Sequence, residues 1–303
     1  MSEQSHLRFG RMIPAMVTAY DDNKVVDFDR MRKLARFLIE GGSDSLLVCG
    51  TTGESPTIDN ADKLKLFETV LDEAAGQVPV IANVGSNNTE RSIEFAQQVA
   101  KLGVDGVMAV VPYYNKPPQE GLYQHFKAIA EGCGLPVIVY NIPGRCGINM
   151  EAETTLRLAR DVDNIVAVKE ASGDLDQIRH IIDQSHTFRD DFLVYSGDDA
   201  MTLPVMEAGG FGVISTTGNV MPQAMKELTD LCAAGDFEAA QAVHERLLPL
   251  MKHLFTTANP ILVKQSLNLV GVPVGGVRLP LVDATDQQTE DLRAVLRQVG
   301  ALS

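Results

Sequence analysis

The chain has 303 residues, of which 45% are hydrophobic, so it can bury a large core as one α/β barrel or as two smaller domains. Its 40 acidic and 26 basic residues give a formal net charge of −14, which argues against a general affinity for nucleic acid or anionic membranes. A pocket can still be locally positive, so a small anionic substrate stays possible.

The sequence contains no signal for export or for a membrane anchor. The N-terminal segment "MSEQSHLRFGRMIP" lacks the apolar stretch of a signal peptide, and no later apolar run reaches membrane-spanning length. The four cysteines form no CxxC pair and lie beside no histidine cluster, which disfavours disulfides and zinc sites. These features predict a reduced, cytoplasmic protein.

Short apolar segments alternate with amphipathic segments along the first part of the chain. The apolar segments are rich in valine and isoleucine without polar–apolar alternation, which is typical of strands buried on both faces. In chain order they span 12–20, 45–50, 79–85, 106–114, 136–143, 165–170, 192–198 and 211–219.

The segments between these runs have helical periodicity. In segment 27–42, apolar residues recur at i, i+3, i+4 and i+7 from Met31 onward, and two glycines follow as a stop. Segment 88–103 opens on an Asn-Thr cap signal and closes on Gly103. A strand followed by a helix, repeated about eight times, predicts a parallel (β/α)8 TIM barrel. A doubly wound open sheet is the alternative, but no GxGxxG motif follows the first strand.

Only helical segments follow residue 221. They span 221–235, 237–258, 259–271 and 286–301. The first is expected to complete the barrel, and the others to form a small helical unit. The sequence therefore predicts a barrel over residues 1–235, which carries the active site, and a C-terminal helical domain over residues 236–303.

Polar, aromatic and glycine-rich residues follow several predicted strands. In such barrels the carboxyl ends of the strands meet at one mouth, where reactive groups lie. The segments at these ends are "GTTGES" (50–55), "PYYNKP" (112–117), "YNIPGRCG" (140–147), "IVAVKE" (165–170) and "SGDDA" (196–200). We expect them to converge on one site.

Lys169 ends an apolar strand, where a charged amine is costly unless it is paired or neutral. The structural alternative is a lysine that pairs with Glu170 or points outward. The functional interpretation is a lysine whose pKa is lowered by apolar surroundings, so that its free amine attacks a ketone and forms a Schiff base. The position at the barrel mouth favours the functional interpretation.

The turn at 50–54 also has two interpretations. Thr51 or Thr52 could cap the following helix, or the threonine amides and hydroxyls could hold a substrate carboxylate. In the second case a threonine could also pass a proton to a tyrosine. Glu54 is interpreted as a structural residue that orders the loop.

Three of the six tyrosines lie at the ends of two predicted strands. Tyr113, Tyr114 and Tyr140 could be packing residues, but their shared place at one mouth favours a functional role. Arg145 is either a solvated loop cation or a bidentate clamp for a substrate carboxylate. In "SGDDA" the glycine permits a close approach of the backbone to a ligand, and an aspartate is expected to cap a helix. A metal site there is disfavoured.

The combination of GTTGE, PYYNKP, YNIPGR and VKEASG resembles the dihydrodipicolinate synthase/N-acetylneuraminate lyase family of pyruvate-dependent class I aldolases. SGDDA, GVIST, NPILVK and VRLPL extend the resemblance over nearly the whole chain. It implies an enzyme that condenses pyruvate with L-aspartate 4-semialdehyde in lysine and diaminopimelate biosynthesis. It also implies a homotetramer, built as a dimer of dimers, that needs no organic cofactor and no metal.

The resemblance assigns the reacting residues. Lys169 matches the lysine that forms a covalent imine with pyruvate. Thr51, Tyr114 and Tyr140 match a proton-relay triad. The tyrosine that matches Tyr114 is supplied to the neighbouring subunit's active site across a tight dimer interface, with Tyr113 beside it.

The resemblance also implies the residues that bind substrate. Thr52 and the amides of its turn match the cradle for the pyruvate carboxylate, and Arg145 matches the arginine that receives the semialdehyde's carboxylate. Gly197 and Ile214 match pocket-lining positions, and Cys146 is expected to be a pocket-wall residue. Arg145 is the main discriminator, because N-acetylneuraminate lyases carry a different residue after YNIP.

Two other functions stay open. A sugar-acid pyruvate lyase or dehydratase of the same superfamily, such as a 2-keto-3-deoxygluconate aldolase or an N-acetylneuraminate lyase, would use the same lysine, and some dehydratases also resemble YNIPGR. A non-catalytic pyruvate-binding paralogue would be indicated by loss of Lys169 or a relay tyrosine. These residues are present.

One departure from the family concerns feedback regulation. Lysine-inhibited members use histidines and a glutamate in a cleft at the dimer interface, where Asn60, Lys63 and Arg91 stand here, while Asn87 and Tyr113 are kept. Two cations would repel a lysine ammonium by roughly 1 kcal/mol each. We expect weak or absent inhibition by lysine.

Overall fold

The structure is a computed structural model that describes residues 9–302. Its strands are β1 (Met12–Pro14), β2 (Leu46–Val48), β3 (Val80–Asn83), β4 (Gly106–Val110), β5 (Val137–Asn141), β6 (Ile165–Glu170), β7 (Leu193–Ser196) and β8 (Gly212–Ser215). They form one sheet in the order β1-β8-β7-β6-β5-β4-β3-β2, with parallel pairing from β3 through β8. A parallel bridge between Ala15 and Leu47 joins the two ends of this order. The predicted (β/α)8 barrel is confirmed.

Helices alternate with the strands. They are α1 (Phe28–Glu40), α2 (Asn60–Ala74), α3 (Thr89–Ala100), α4 (Gln119–Cys133), α5 (Pro143–Cys146), α6 (Ala152–Asp161), α7 (Leu175–Ser185), α8 (Thr202–Glu207), α9 (Pro222–Ala233), α10 (Phe237–His253), α11 (Ile261–Leu269) and α12 (Asp286–Gln298). Within residues 9–302, none of them is both long enough and apolar enough to cross a membrane.

Seven of the eight described strands are shorter than the apolar runs that predict them, and β6 has the predicted bounds. The run at 136–143 yields β5, and the run at 211–219 yields β8 followed by a short 3₁₀ turn at Thr217–Asn219. Every residue of β5 and β8 is buried, as expected for strands covered on both faces. The residues beyond the strand ends form the turns that carry the candidate site residues.

Side-chain caps mark the starts of α1 and α3. Asp27 accepts a hydrogen bond from the Arg30 amide at the start of α1, and Asn88 accepts one from the Arg91 amide at the start of α3. Helix α1 buries its predicted apolar stripe and ends before Gly41. Helix α3 ends at Ala100, before the predicted Gly103, because its last turn closes through Lys101 and Leu102.

The described residues form two compact units. The first comprises residues 9–11 and Ile81–Ile214, and the second comprises Met12–Val80 and residues 215–302. Helices α10, α11 and α12 lie where the sequence predicts C-terminal helices. The domain boundary at residue 235 stays a prediction, and residues 1–8 and 303 of the predicted domains lie outside the described residues.

Candidate active site

Lys169 lies near the end of β6, in the first unit. It is 6% exposed, and its Nζ atom lies 4.3 Å from the centroid of the Tyr140 ring on the paired strand β5. Burial lowers the Lys169 pKa to about 8, Asp199 opposes that change, and the nearby Arg145 cation adds to it. A larger fraction of Lys169 is therefore a free, nucleophilic amine at neutral pH than for an exposed lysine.

Glu170 does not act as the ion-pair partner that the structural alternative assigns to Lys169. Consecutive residues of a strand face opposite sides, and the Glu170 carboxylate accepts hydrogen bonds from Asn141 Nδ2 at 2.8 Å and Gln177 Nε2 at 2.7 Å. The Lys169 amine therefore faces Tyr140 while Glu170 faces a set of amide side chains.

Gly197 follows β7 and passes close to Lys169. A methyl group on Gly197 would lie 2.7 Å from Ala171 Cβ and 3.2 Å from Lys169 Cε, so the site needs glycine there. Asp198 caps the next 3₁₀ turn by accepting from the Ala200 amide, as the sequence predicts. Across residues 9–302, no group of three or more His, Cys, Asp or Glu side chains is arranged to hold a metal ion.

Helix α5 carries Arg145 and Cys146. Arg145 is exposed, yet close enough to affect the pKa of Lys169. Cys146 is buried, its thiol donates to the Val111 carbonyl at 3.2 Å, and burial raises its pKa to about 11. The thiol is therefore protonated and packed, as expected for a wall residue.

Tyr113 and Tyr114 lie in the loop after β4. Tyr114 is 90% exposed and has a φ of 75°, a strained conformation for a non-glycine residue. The side-chain Nδ2 of Asn87 donates to the backbone carbonyl of Tyr113 at 3.2 Å. The side-chain Nδ2 of Asn115 donates to the backbone carbonyl of Asn87 at 2.9 Å. These bonds hold the loop so that Tyr114 projects away from its own chain.

The threonine turn lies after β2, in the second unit. The Thr52 hydroxyl accepts from Asn259 Nδ2 at 2.9 Å and lies 3.5 Å from the Thr216 hydroxyl. The next α-helix, α2, is capped by Asp59 instead. Capping of that helix by a threonine, the structural alternative for this turn, is therefore wrong.

Glu54 anchors the same turn. Its left-handed backbone, with φ of 55°, is held by a buried ion pair with Lys264 Nζ at 3.0 Å and by the Arg278 amide at 2.9 Å. The Arg278 guanidinium also donates to the Thr57 and Lys24 carbonyls. Glu54 is thus a structural residue that orders the loop, as the sequence predicts.

The structure brings Lys169, Tyr140, Arg145 and Gly197 together within the first unit. Ile214 is buried in β8 of that unit, and Tyr114, also in that unit, is exposed to solvent. In the second unit, Thr52 is buried and Thr51 is partly exposed in the turn that Glu54 anchors.

Sequence reasoning missed the polar residues that support these side chains. Asn141 and Gln177 bind Glu170, Asn259 binds Thr52 and Lys264 binds Glu54. The sequence motifs NPILVK, which contains Asn259 and Lys264, and YNIPGR, which contains Asn141, could be recognised as notable segments. The partners could not be identified, because three of these four contacts join distant parts of the chain.

Comparisons with known proteins assign the chain to a family. The model of the "Dihydrodipicolinate synthetase family" matches residues 8–299. This chain belongs to the dihydrodipicolinate synthetase family. A family relative from Halalkalibacterium halodurans, named 4-hydroxy-tetrahydrodipicolinate synthase 1, is 52% identical over 290 residues, which cover 96% of this chain and 97% of the relative.

Solved structures of the family have the same fold. A dihydrodipicolinate synthase from Cyanidioschyzon merolae with lysine bound has a TM-score of 0.94 at 46% identity, covering 97% of this chain and 99% of that one. The chloride-inhibited enzyme from Acinetobacter baumannii, complexed with pyruvate, has a TM-score of 0.93 at 38% identity, covering 97% of this chain and 100% of that one. The family, the barrel and the enzyme class that the sequence predicts are confirmed.

Proposed function

We propose that this chain is a 4-hydroxy-tetrahydrodipicolinate synthase that condenses pyruvate with L-aspartate 4-semialdehyde through an imine on Lys169. The observation that carries the proposal is the buried Lys169 amine, which has a pKa of about 8 and lies 4.3 Å from the Tyr140 ring centroid. The name shared by the curated relatives and the pyruvate complex of the Acinetobacter baumannii enzyme support the same assignment.

The proposed chemistry begins with attack of the free Lys169 amine on the pyruvate ketone, which releases water and leaves an imine. The imine withdraws electrons, so a methyl proton leaves and an enamine carbon forms. That carbon bonds to the aldehyde carbon, and the aldehyde oxygen takes up a proton. The substrate's own amine then displaces Lys169 as the ring closes. The covalent imine takes the place of an organic cofactor or metal.

Proton transfer is assigned to Tyr140, Thr51 and Tyr114, and carboxylate binding to Thr52 and Arg145. Tyr140 is buried beside the reacting amine, so it can exchange protons with little access of bulk water. Arg145 supplies a cation beside Lys169 with the planar donors that suit a carboxylate. Gly197, Ile214 and Tyr113 complete the proposed pocket.

The proposed assembly is a homotetramer in which Tyr114 serves the neighbouring subunit. Its 90% exposure and strained backbone support a contact outside its own chain. Tyr114→Phe should lower turnover more than pyruvate binding. Mixing it with Lys169→Ala should restore activity, since one site per mixed dimer has both groups. Mixed oligomers with no more activity than the sum of the two variants would contradict the sharing.

Cellular placement is also part of the proposal. We place the chain in the cytoplasm, without nucleic-acid or membrane partners, in lysine and diaminopimelate biosynthesis. None of the four cysteines, all of them among the described residues, forms a disulfide, which suits a reducing compartment.

The deciding experiment is turnover of pyruvate plus L-aspartate 4-semialdehyde, coupled to the downstream reductase and followed by nicotinamide absorbance. Turnover that disappears in Lys169→Ala would support the synthase. No turnover, with pyruvate still trapped on Lys169 by borohydride, would indicate a sugar-acid lyase or dehydratase. Pyruvate binding with neither turnover nor trapping would indicate the non-catalytic paralogue.

Arg145→Leu separates the synthase from the sugar-acid alternative. Loss of the cation should raise the KM for the semialdehyde by roughly 10-fold or more, while trapping of pyruvate persists. A semialdehyde KM equal to that of the wild type would contradict the assignment of Arg145.

A further inference from the structure

Four polar side chains form a connected network behind Lys169, and we call them the Glu170 network. They are Glu170 on β6, Asn141 on β5, Gln177 on α7 and Asn149 in the loop between α5 and α6. Asn141 Nδ2 and Gln177 Nε2 donate to the two oxygens of Glu170 at 2.8 Å and 2.7 Å. Asn141 Nδ2 also donates to Asn149 Oδ1, and Asn149 Nδ2 donates to Gln177 Oε1, both at 2.8 Å.

The network lies one residue away from the reacting pair. Strand register sets Tyr140 opposite Lys169 and Asn141 opposite Glu170. Since consecutive strand residues face opposite sides, the Asn141–Glu170 bond clamps the same two strands from the other face. A shift of either strand would break this bond and move Lys169 relative to the Tyr140 ring.

The network also closes the segment that carries Arg145. Asn141 Oδ1 accepts from the Met150 amide at 3.0 Å, and Asn141 Nδ2 lies 3.3 Å from the Met150 carbonyl. From α4, Gln119 Nε2 donates to the Asn149 carbonyl at 2.9 Å. Asn141, which binds Glu170, therefore joins the two ends of segment 141–150, and Gln119 supports the second end from α4.

A carboxylate is an unusual choice for position 170. Glu170 is 1% exposed, and its hydrogen-bond donors are neutral groups. Burial raises its pKa to about 7, and the bonds from Gln177 and Asn141 oppose that rise. Burying an ionisable group among neutral partners is costly, so packing alone does not explain it.

What a carboxylate supplies is acceptor-only chemistry. In its ionised form the Glu170 carboxylate only accepts hydrogen bonds, so Asn141 and Gln177 must turn their NH2 groups toward it. The Asn141 oxygen is thereby directed at the Met150 amide, which closes the Arg145 segment. A glutamine at position 170 would turn its NH2 group toward the NH2 group of either Asn141 or Gln177. Two donors cannot bond to each other, so one of these side chains would have to rotate or lose its hydrogen bond.

We propose that Glu170 is a positioning residue for the condensation. It orients Asn141 and Gln177, and through them it holds the Arg145 segment and the Tyr140–Lys169 pair in the geometry that the second substrate needs. This inference rests on the proposed function, because the second substrate is taken to be the semialdehyde.

The first test is Glu170→Gln, with Glu153→Gln as a matched control. Glu153 undergoes the same chemical change, but its side chain is 81% exposed and pairs only with His180 among the described residues. Glu170→Gln should raise the KM for the semialdehyde roughly 10-fold or more, since a small misplacement of a binding group has effects of that size. Trapping of pyruvate on Lys169 should stay within a few-fold of wild type. Glu153→Gln should match wild type.

A charge swap tests the donor–acceptor argument. In Glu170→Gln/Gln177→Glu, the amide oxygen introduced at position 170 can accept from Asn141, and the amide NH2 can donate to the carboxylate introduced at position 177. That carboxylate can still accept from Asn149, so the double variant should recover most of the lost semialdehyde affinity. A merely structural role predicts lower melting temperatures with an unchanged KM, and that result would overturn the proposal.

Asn149→Ala provides a test that leaves the buried carboxylate in place. It removes three hydrogen bonds of the network, one with Asn141 and two with Gln177. Hydrogen exchange of peptides covering residues 142–150 should therefore speed up several-fold, as it should in Glu170→Gln. Wild-type exchange and a wild-type KM in both variants would overturn the proposal. Exchange needs no substrate, so if the wild-type chain fails to turn over the semialdehyde, the proposed function fails while exchange still decides the positioning role.

Discussion

Two buried lysines, one in each unit, have similar surroundings. Lys169 is 6% exposed and Lys264 is 1% exposed. Their Nζ atoms lie 4.3 Å and 4.0 Å from the ring centroids of Tyr140 and Tyr20. Burial is the main cause that lowers each pKa to about 8.

Their charged neighbours differ. The Lys264 ammonium donates to the buried Glu54 carboxylate at 3.0 Å, which keeps it in an ion pair. Near Lys169, Asp199 raises the pKa of the amine, and the Arg145 cation lowers it by a smaller effect. A lowered pKa therefore does not by itself identify a reacting lysine, because buried structural pairs also perturb pKa values. The structural lysine, Lys264, is distinguished by its carboxylate partner at hydrogen-bond distance.

The largest expected effect is that of Lys169→Ala. Without the amine no imine can form, so turnover should fall by roughly 10⁴-fold or more, as when other enzymes lose a nucleophile. Borohydride should no longer attach pyruvate to the protein, as read by intact mass. Normal turnover in this variant would reject the imine assignment.

Lys264→Met should act on stability instead of chemistry. It leaves the Glu54 carboxylate buried without its cation, so the free energy of unfolding should fall by about 3–5 kcal/mol, measured by denaturant titration. The double variant Lys264→Met/Glu54→Gln should recover part of that loss. Folded Lys264→Met should still trap pyruvate. Loss of trapping with unchanged stability would reverse the roles of the two lysines.

The pH dependence of trapping should report the pKa of Lys169. An amine that is protonated below a pKa of about 8 reacts roughly 10-fold more slowly per pH unit below that value and levels off above it. The second-order rate of imine formation at sub-saturating pyruvate, read by borohydride trapping, reports the free enzyme and should show this midpoint, and Lys264→Met should keep it. A midpoint near the ordinary lysine value of 10.5 would contradict the burial argument.

The smallest expected effect is that of added lysine on turnover. Asn60 and Arg91 are exposed and Lys63 is half-buried. Two basic side chains therefore stand at the positions that the sequence resemblance assigns to the lysine-binding cleft. Millimolar lysine should change the rate less than about 2-fold, since each cation opposes binding by roughly 1 kcal/mol. Inhibition should strengthen in Lys63→Gln/Arg91→Gln. Micromolar inhibition by lysine would contradict this expectation.

The sequence predicts the parts of the site that depend on local pattern. The position of Lys169 at the end of a buried strand follows from the apolar run before it, and the Asp198 cap follows from its place after a strand. Glu54 could be named as structural, but its partner could not, because Lys264 is 210 residues away. The sequence pattern could not predict the exposure of Tyr114 either. That exposure depends on hydrogen bonds between the Tyr114 loop and the loop that contains Asn87.

By itself, the sequence determined the alternation of strands and helices, the barrel and the lysine at its mouth. These features depend on hydrophobic periodicity and on helix and strand end signals within a few residues. Such local signals do not depend on contacts with distant parts of the chain. Only the tertiary structure decided which buried charges are paired. Glu170 binds Asn141 and Gln177, and Glu54 binds Lys264, because the folded chain brings these residues to hydrogen-bond distance. A buried polar group must find a partner, and that partner is set by contacts that sequence spacing does not encode.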